Sequence, residues 1–262
     1  MKNKRIFFVA LLLHFALLAD TVIVAHRGAS RQAPENTLPA FELAWKQGAD
    51  AIEADFRLTK DGHVVCIHDG TTKRTTGKNL NIAQSNLRDL QKLDAGSFKG
   101  SQFNGTKIPT IAQVFACMPK GKKIYIEIKS GVETVEPILK EIKKSSLLTE
   151  QIVFISFKEK VLIEVKKQAP HLYTSWLCNI KKYKTGQLKP SVKSILQTLK
   201  KIKADGLSAS QHQVDKALIQ QIHEQGYQCH VWTVNQPNQA KKFIHLKIDS
   251  ITTDLPRVIK QT

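Results

Sequence analysis

The chain has 262 residues, 42% hydrophobic and 24% charged, which excludes a disordered polypeptide and fits one large domain or two small ones. Thirteen Gly and nine Pro exclude collagen-like or low-complexity sequence, and four Cys are too few for a disulfide-built scaffold. Forty Lys and Arg against 22 Asp and Glu give a net charge of +18, a bias toward polyanions, phosphorylated substrates or anionic membranes that carries no information about fold.

The N-terminus reads Met1-Lys2-Asn3-Lys4-Arg5, followed by an apolar run from Ile6 to Leu18 interrupted only by His14. That run is shorter than the roughly 20 residues of a comfortable membrane span. A basic start, a short apolar core and a small residue at Ala19 predict a secretory signal peptide over residues 1–19. The protein is therefore expected to be exported, to the periplasm or beyond. An uncleaved anchor or a core helix would use the same residues. Loss of Lys2, Lys4 and Arg5 takes the charge from +18 to +15, so the mature chain stays strongly basic.

Beyond the leader, short apolar runs alternate with longer helix-like stretches. Strands are expected at Thr21–Ala25, Ala51–Arg57, His63–His68, Lys123–Lys129, Ile152–Phe157, Leu172–Leu177, Asp205–Ala209, Gln228–Val234 and Ser250–Thr253. Helices are expected at Leu38–Gln47, Ile111–Met118, Thr134–Ser145, Glu159–Gln168, Val192–Ile202, Lys216–Gln225 and Gln239–Ile244. Regular alternation of strand and helix predicts parallel strands with helical crossovers, and the length suits one (β/α)8 barrel of about 250 residues. Nine strands are one too many for eight. The turn Lys60-Asp61-Gly62 resolves the excess, because Asp-Gly between strand-like runs marks a hairpin. The third strand is then an antiparallel appendage that carries His68 back beside Asp55. The helix-poor stretch from Gly70 to Pro109 is expected to be a small insertion after the second barrel strand, lying over the mouth.

Barrel strands alternate inward and outward side chains. In Ala51–Phe56, Ile52, Ala54 and Phe56 take the helix-facing side, which turns Glu53 and Asp55 inward. In Lys123–Lys129, Ile124, Ile126 and Ile128 face the helices, which turns Glu127 and Lys129 inward. Three acids would converge at the C-terminal mouth, where barrel active sites gather. Three buried carboxylates repel one another unless neutralised. A single hard divalent cation, Ca²⁺ or Mg²⁺, with oxygen ligands is the natural solution. Pairing of each acid with Arg27, Arg57 or Lys129 is the competing structural explanation, and it weakens when two acids at i, i+2 meet a third on the next barrel strand.

His26, at the end of the first strand, and His68 are candidate proton carriers, since imidazole titrates near neutrality. Arg27 follows His26 and can fork onto a phosphate. In Pro34-Glu35-Asn36-Thr37, before the first helix, Asn36 or Thr37 is expected to cap the helix, whereas Glu35 has no capping duty and is placed at the site. Trp232 shares a strand face with His230 and is a candidate wall for a substrate's carbon skeleton, with core packing as the rival. Cys66, Cys117, Cys178 and Cys229 show no CxxC spacing and read as buried small hydrophobes.

These residues fall in motifs that together resemble the glycerophosphodiester phosphodiesterase family: Ala25-His26-Arg27-Gly28, Pro34-Glu35-Asn36-Thr37, Glu53-Ala54-Asp55, Thr59-Lys60-Asp61-Gly62 and His68-Asp69. Arg74-Thr75-Thr76-Gly77, Ile108-Pro109-Thr110, Glu127-Ile128-Lys129, Trp232-Thr233-Val234-Asn235 and Thr253-Asp254-Leu255-Pro256 follow in family order over nearly all of the mature chain. Thr71-Thr72-Lys73 departs from the family, which usually carries a Leu after His-Asp. The resemblance implies a (β/α)8 barrel that hydrolyses glycerophosphodiesters to glycerol phosphate and an alcohol. It implies a metal on Glu53, Asp55 and Glu127, acid/base work by His26 and His68, and phosphate contacts from Arg27 and Lys129. A lysophospholipase D or sphingomyelinase D activity on the same scaffold is the enzymatic alternative, and a non-catalytic binder of anionic surfaces is the other. The expected partner is a small-molecule diester, with peripheral contact to anionic membrane in keeping with the charge. The lysine pairs are too dispersed for nucleic acid, and the sequence fixes no oligomeric state.

Overall fold

The computed structural model describes residues 20–262; the expected leader, residues 1–19, lies outside the described residues. The chain runs through β1 (Val22–His26), α1 (Leu38–Lys46), β2 (Ala51–Leu58) and β3 (Val64–Cys66). Two short helices, α2 (Lys73–Thr76) and α3 (Leu87–Leu90), precede α4 (Ile111–Ala116), β4 (Lys123–Ile128), α5 (Val135–Lys144), β5 (Ile152–Ser156) and α6 (Glu159–Gln168). Then come β6 (Tyr173–Cys178), the two-residue strands β7 (Lys181–Lys182) and β8 (Leu188–Lys189), α7 (Val192–Ile202) and β9 (Gly206–Ser210). The last elements are α8 (Lys216–Glu224), β10 (Gln228–Trp232), α9 (Pro237–His245), β11 (Ser250–Thr253) and α10 (Pro256–Lys260).

Eight parallel strands close a ring in the order β1, β2, β4, β5, β6, β9, β10, β11 and back to β1, the expected (β/α)8 barrel. Register carries the site: His26 pairs with Glu53, and Asp55 pairs with Glu127. β3 runs antiparallel to β2, with Phe56 opposite Cys66, through the expected Asp61-Gly62 turn. It is shorter than the predicted His63–His68, but the Ile67 amide donating to the Asp55 carbonyl at 2.9 Å extends the pairing toward His68.

Side-chain alternation builds two cores. Ile52, Ala54, Phe56, Ile124, Ile126, Ile128 and Phe154 point outward and are fully buried against the helices, each Ile and Phe side chain contributing about 1.5–3 kcal/mol by leaving water. Leu207, Val231 and Ile251 do the same on the other half with Ile195, Leu199, Ile222 and Phe243. Inside the barrel Val24, Ala51, Tyr125, Val153, Ile155 and Leu177 fill the lumen, so the polar groups above them stand on an apolar floor. Helix α5 shows the matching pattern: Val135, Ile138 and Leu139 are buried while Lys140, Lys143 and Lys144 stay outside. The Ile108-Pro109-Thr110 motif is a helix start, because the Thr110 hydroxyl and Gln113 form a reciprocal capping box on α4.

The stretch between β3 and α4 is an insertion with a small core of its own, formed by Val65, Ile67, Ile82, Leu90, Ala95 and Ile108. It reaches the barrel mouth through the Lys99 ammonium, 2.6 Å from the Ser30 carbonyl. The β7–β8 hairpin was not foreseen, since two-residue strands carry no readable period. α9 begins two residues before its predicted start, with Pro237 at the first helical position. All four cysteines are free, three of them buried. Among the described residues, no helix is long and apolar enough to cross a membrane.

Candidate active site

The C-terminal ends of the strands surround a cavity of about 350 Å³ lined by His26, Arg27, Glu53, His68, Glu127, Lys129, Phe157, Asn179 and Trp232, among others. Glu53 and Asp55 are 2% and 1% exposed, which leaves no water shell to stabilise their charge. One oxygen from each of Glu53, Asp55 and Glu127 lies within 4.8 Å of the others. Burial, then the charges of Asp55 and Glu127, hold the Glu53 carboxyl well above the usual range. Burial and the Asp55 charge push Glu127 up to about 7 against the pull of Lys129. Burial alone would raise Asp55 as well, but Arg27, Lys129 and His68 together outweigh it and hold the carboxyl low. Glu53 Oε1 and Asp55 Oδ1 are buried and accept no hydrogen bond. Orphaned, mutually repelling oxygens of this kind are the donor set that a hard divalent cation satisfies, so Glu53, Asp55 and Glu127 fit the expected metal.

Two cations frame the acids. The Arg27 backbone amide donates to Glu53 Oε2 at 3.0 Å, and its guanidinium reaches Glu35 Oε1 at 2.9 Å and Asp55 Oδ2 at 3.2 Å. Arg27 has a left-handed backbone with φ of 56°, and Gly28 beside it has φ of 81°. A Cβ at Gly28 would lie 2.6 Å from the Ala40 carbonyl carbon, so only glycine lets the His26-Arg27-Gly28 turn press onto α1. Lys129 lies 2.8 Å from Glu127 Oε1 and 3.5 Å from Asp55 Oδ1.

Both imidazoles are oriented by an aspartate. His26 Nδ1 is 2.6 Å from Asp254 Oδ1, and His26 Nε2 is 4.0 Å from Glu53 Oε2. Asp254 also accepts from Asn235 at 2.7 Å and Ser30 at 3.2 Å; these partners overcome the effect of burial and hold its carboxyl at about 2. His68 Nδ1 is 2.6 Å from Asp69 Oδ1, and Asp69 is gripped in turn by Arg74 Nε at 2.6 Å. Arg57 donates twice to the His68 carbonyl, at 2.9 and 2.7 Å, which fixes the residue's backbone. Burial lowers His68, partly opposed by Asp55 and Asp69. With Nδ1 occupied, each ring has Nε2 left for the cavity.

Trp232 meets Phe157 edge to face, with ring centroids 5.7 Å apart, forming an apolar wall with Ile155 and Leu177. Two expectations near α1 need correcting. Asn36 does not cap the helix: its amide donates to Asp55 Oδ2 at 2.8 Å and its carbonyl accepts from the Asp55 amide at 3.1 Å. Thr37 occupies the N-cap position, yet its hydroxyl bonds the Pro34 carbonyl instead of the first turn. Glu35 stands behind Arg27, a cavity-lining residue, accepting from it at 2.9 Å and from Arg74 at 2.6 and 2.9 Å. Asn36, Asp69, Arg74 and Asp254 were absent from the predicted site. Asp254 and Arg74 stood in motifs already quoted, and Asp69 adjoins His68.

The model of the glycerophosphoryl diester phosphodiesterase family matches residues 26–258. The chain belongs to that family. A glycerophosphodiester phosphodiesterase from Caldanaerobacter subterraneus is 35% identical over 244 residues, covering 91% of this chain and 96% of that protein. A lysophospholipase D from Rattus norvegicus is 26% identical, covering 91% of this chain and 84% of its own length. An Oleispira antarctica phosphodiesterase solved with its product sn-glycerol-3-phosphate superposes with a TM-score of 0.84 at 28% identity, covering 92% of this chain and 96% of that one. The family match begins at His26 and includes Glu53, His68, Glu127 and Asp254.

Proposed function

We propose that this chain is an exported, metal-dependent enzyme that hydrolyses glycerophosphodiesters to sn-glycerol 3-phosphate and an alcohol. The carrying observation is that two aspartate-oriented imidazoles border one cavity together with Glu53 and Glu127, two members of a three-carboxylate cluster completed by Asp55. Glu53, Asp55 and Glu127 would hold one Ca²⁺ or Mg²⁺, which supplies positive charge to the phosphoryl group. Arg27 and Lys129 add fixed positive charge for the oxygens on which charge grows in the transition state. One imidazole removes a proton through Nε2 from the nucleophile, water or a neighbouring glycerol hydroxyl. The other gives a proton to the departing alkoxide, and Asp254 and Asp69 hold the rings in the tautomers this requires. Attack by the glycerol hydroxyl would pass through a cyclic phosphate. The excess of lysine suits peripheral contact with an anionic membrane.

The apolar wall favours a second reading, in which diesters that carry an acyl chain are substrates. Phe157 at the cavity is 40% exposed, and the rat relative is a lysophospholipase D. The test is glycerol phosphate release from glycerophosphocholine, with and without chelator, beside a panel of lysolipids and sphingomyelin. His26→Ala should lower turnover by about 10²–10⁴-fold with the fold intact. Product undiminished by both chelation and His26→Ala refutes the scheme.

A further inference from the structure

We infer that the β7–β8 hairpin is a docking element for an anionic phospholipid surface, set beside the catalytic mouth; its use rests on the phosphodiesterase reading, but its binding is measurable apart from turnover. The hairpin leaves the C-terminal end of β6 directly after Asn179, which lines the catalytic cavity. Buried Ile180 anchors its base. Lys181 pairs with Lys189 and Lys182 with Leu188, and the Tyr183 amide and carbonyl both close the tip, to Gln187 at 2.9 Å and from Gly186 at 2.9 Å. Lys182 and Leu188 border a second cavity, of about 590 Å³, with Gln211, Gln236 and Lys242. Gln211 in turn donates to the carbonyl of Thr233, a catalytic-cavity residue. Hairpin and active site therefore share one face of the barrel.

Its chemistry is one-sided. Lys181, Lys182, Lys184 and Lys189 are exposed, and none is in an ion pair among the described residues. No Asp or Glu occurs from Val165 through Ala204, and the carboxylate that shares the second cavity with Lys182, Asp215, is engaged in capping α8 through the Leu218 amide. Some lysines elsewhere do find partners, as Lys92 with Asp89, Lys140 with Glu136 and Lys144 with Glu141; what sets the hairpin apart is four exposed lysines within nine residues. Tyr183 at the tip is 49% exposed, an amphipathic ring of the kind that settles at a headgroup boundary. A nucleic-acid groove would instead present several aromatic stacking platforms, and the hairpin has one ring. Each lysine near an anionic bilayer strengthens binding by about fivefold, so the four form a salt-sensitive anchor that would bring the mouth to lipid-derived diesters.

The test uses the chain from Asp20 onward, which carries all eight barrel strands and both cores, so that the N-terminal apolar run does not contribute. Co-sedimentation is measured with phosphatidylcholine vesicles with and without phosphatidylglycerol, at low and high salt. The expected result is binding only to the anionic vesicles, lost near 1 M salt, where screening extends only about 3 Å. The triple variant Lys181→Glu, Lys182→Glu, Lys184→Glu should bind them at least about a hundredfold more weakly, with hydrolysis of soluble glycerophosphocholine within about twofold. The matched control Lys120→Glu, Lys143→Glu, Lys144→Glu, with lysines before β4 and at the end of α5, should keep binding. Equal loss in both variants, no binding by the unmodified chain, or tighter binding to RNA than to vesicles at the same salt overturns the inference. Absence of diester hydrolysis in the unmodified chain would sink the catalytic reading while leaving the vesicle result standing.

Discussion

Replacing Glu127 by Gln should stabilise the metal-free protein and abolish its stabilisation by divalent cations. Glu127 rises from the usual 4.5 to about 7 because burial and the Asp55 charge oppose its ionisation. The folded state therefore binds a proton that the unfolded state has released, and stability falls as pH rises between those values. At about 1.4 kcal/mol per pH unit the loss is about 3 kcal/mol, reached just above pH 7 and absent below 4.5. Glu127→Gln keeps the shape and removes the charge, so without metal it should exceed the parent by up to about 3 kcal/mol at pH 8, on the order of 5–10 °C in Tm. Below pH 4.5 the two should coincide. Added Ca²⁺ or Mg²⁺ should raise the parent's Tm at pH 8 and leave the variant's unchanged, since binding to the folded state alone stabilises by mass action. The assay is thermal unfolding of chelated protein across pH 4.5–8, repeated with metal. A variant no more stable than the parent at pH 8, or equally stabilised by the ion, would show Glu127 to be a structural partner of Lys129 and refute the metal-cluster reasoning.

Asp254→Asn should cut kcat by about 10–100-fold, below the cost of removing His26 itself, with KM little changed and partial rescue by Glu; an unaltered kcat would deny that the carboxylate orients His26. Buried His230, between Tyr173 and Ser250, is pushed down to about 4 chiefly by burial. Stability should be complete above pH 6.5 and fall by about 3 kcal/mol toward pH 4, as the unfolded state protonates first; His230→Gln should flatten that limb in urea titrations, and an unchanged limb would place the acid sensitivity elsewhere. Gly28→Ala should cost about 3 kcal/mol from the left-handed φ and the contact with Ala40, read by chemical denaturation; a loss under about 1 kcal/mol would show that the turn can yield.

The barrel was legible because its strands alternate so plainly. Ile52, Ala54 and Phe56 on one side of β2, and three isoleucines on one side of β4, leave the acids nowhere to point but inward. Asp61-Gly62 correctly removed the surplus strand, and the turn it makes carried His68 to the acids. Other parts were hidden for identifiable reasons. Asn36 stands where an amide before a helix ordinarily caps, and only the fold shows it committed to Asp55. The His26–Asp254 pair spans 228 positions, a separation at which spacing predicts nothing. Glu35 looked available because its arginine Arg74 comes 39 residues later, in the insertion whose packing has no sequence period.

The first and last strands of the barrel lie side by side, and the carboxylate that holds the His26 imidazole emerges from the end of the final one. During synthesis the N-terminal half can assemble early, but it cannot align His26 until β11 docks. On the proposed mechanism, a partly made or C-terminally clipped chain would turn over slowly even where most of its barrel has formed, because His26 would lack the carboxylate that orients it.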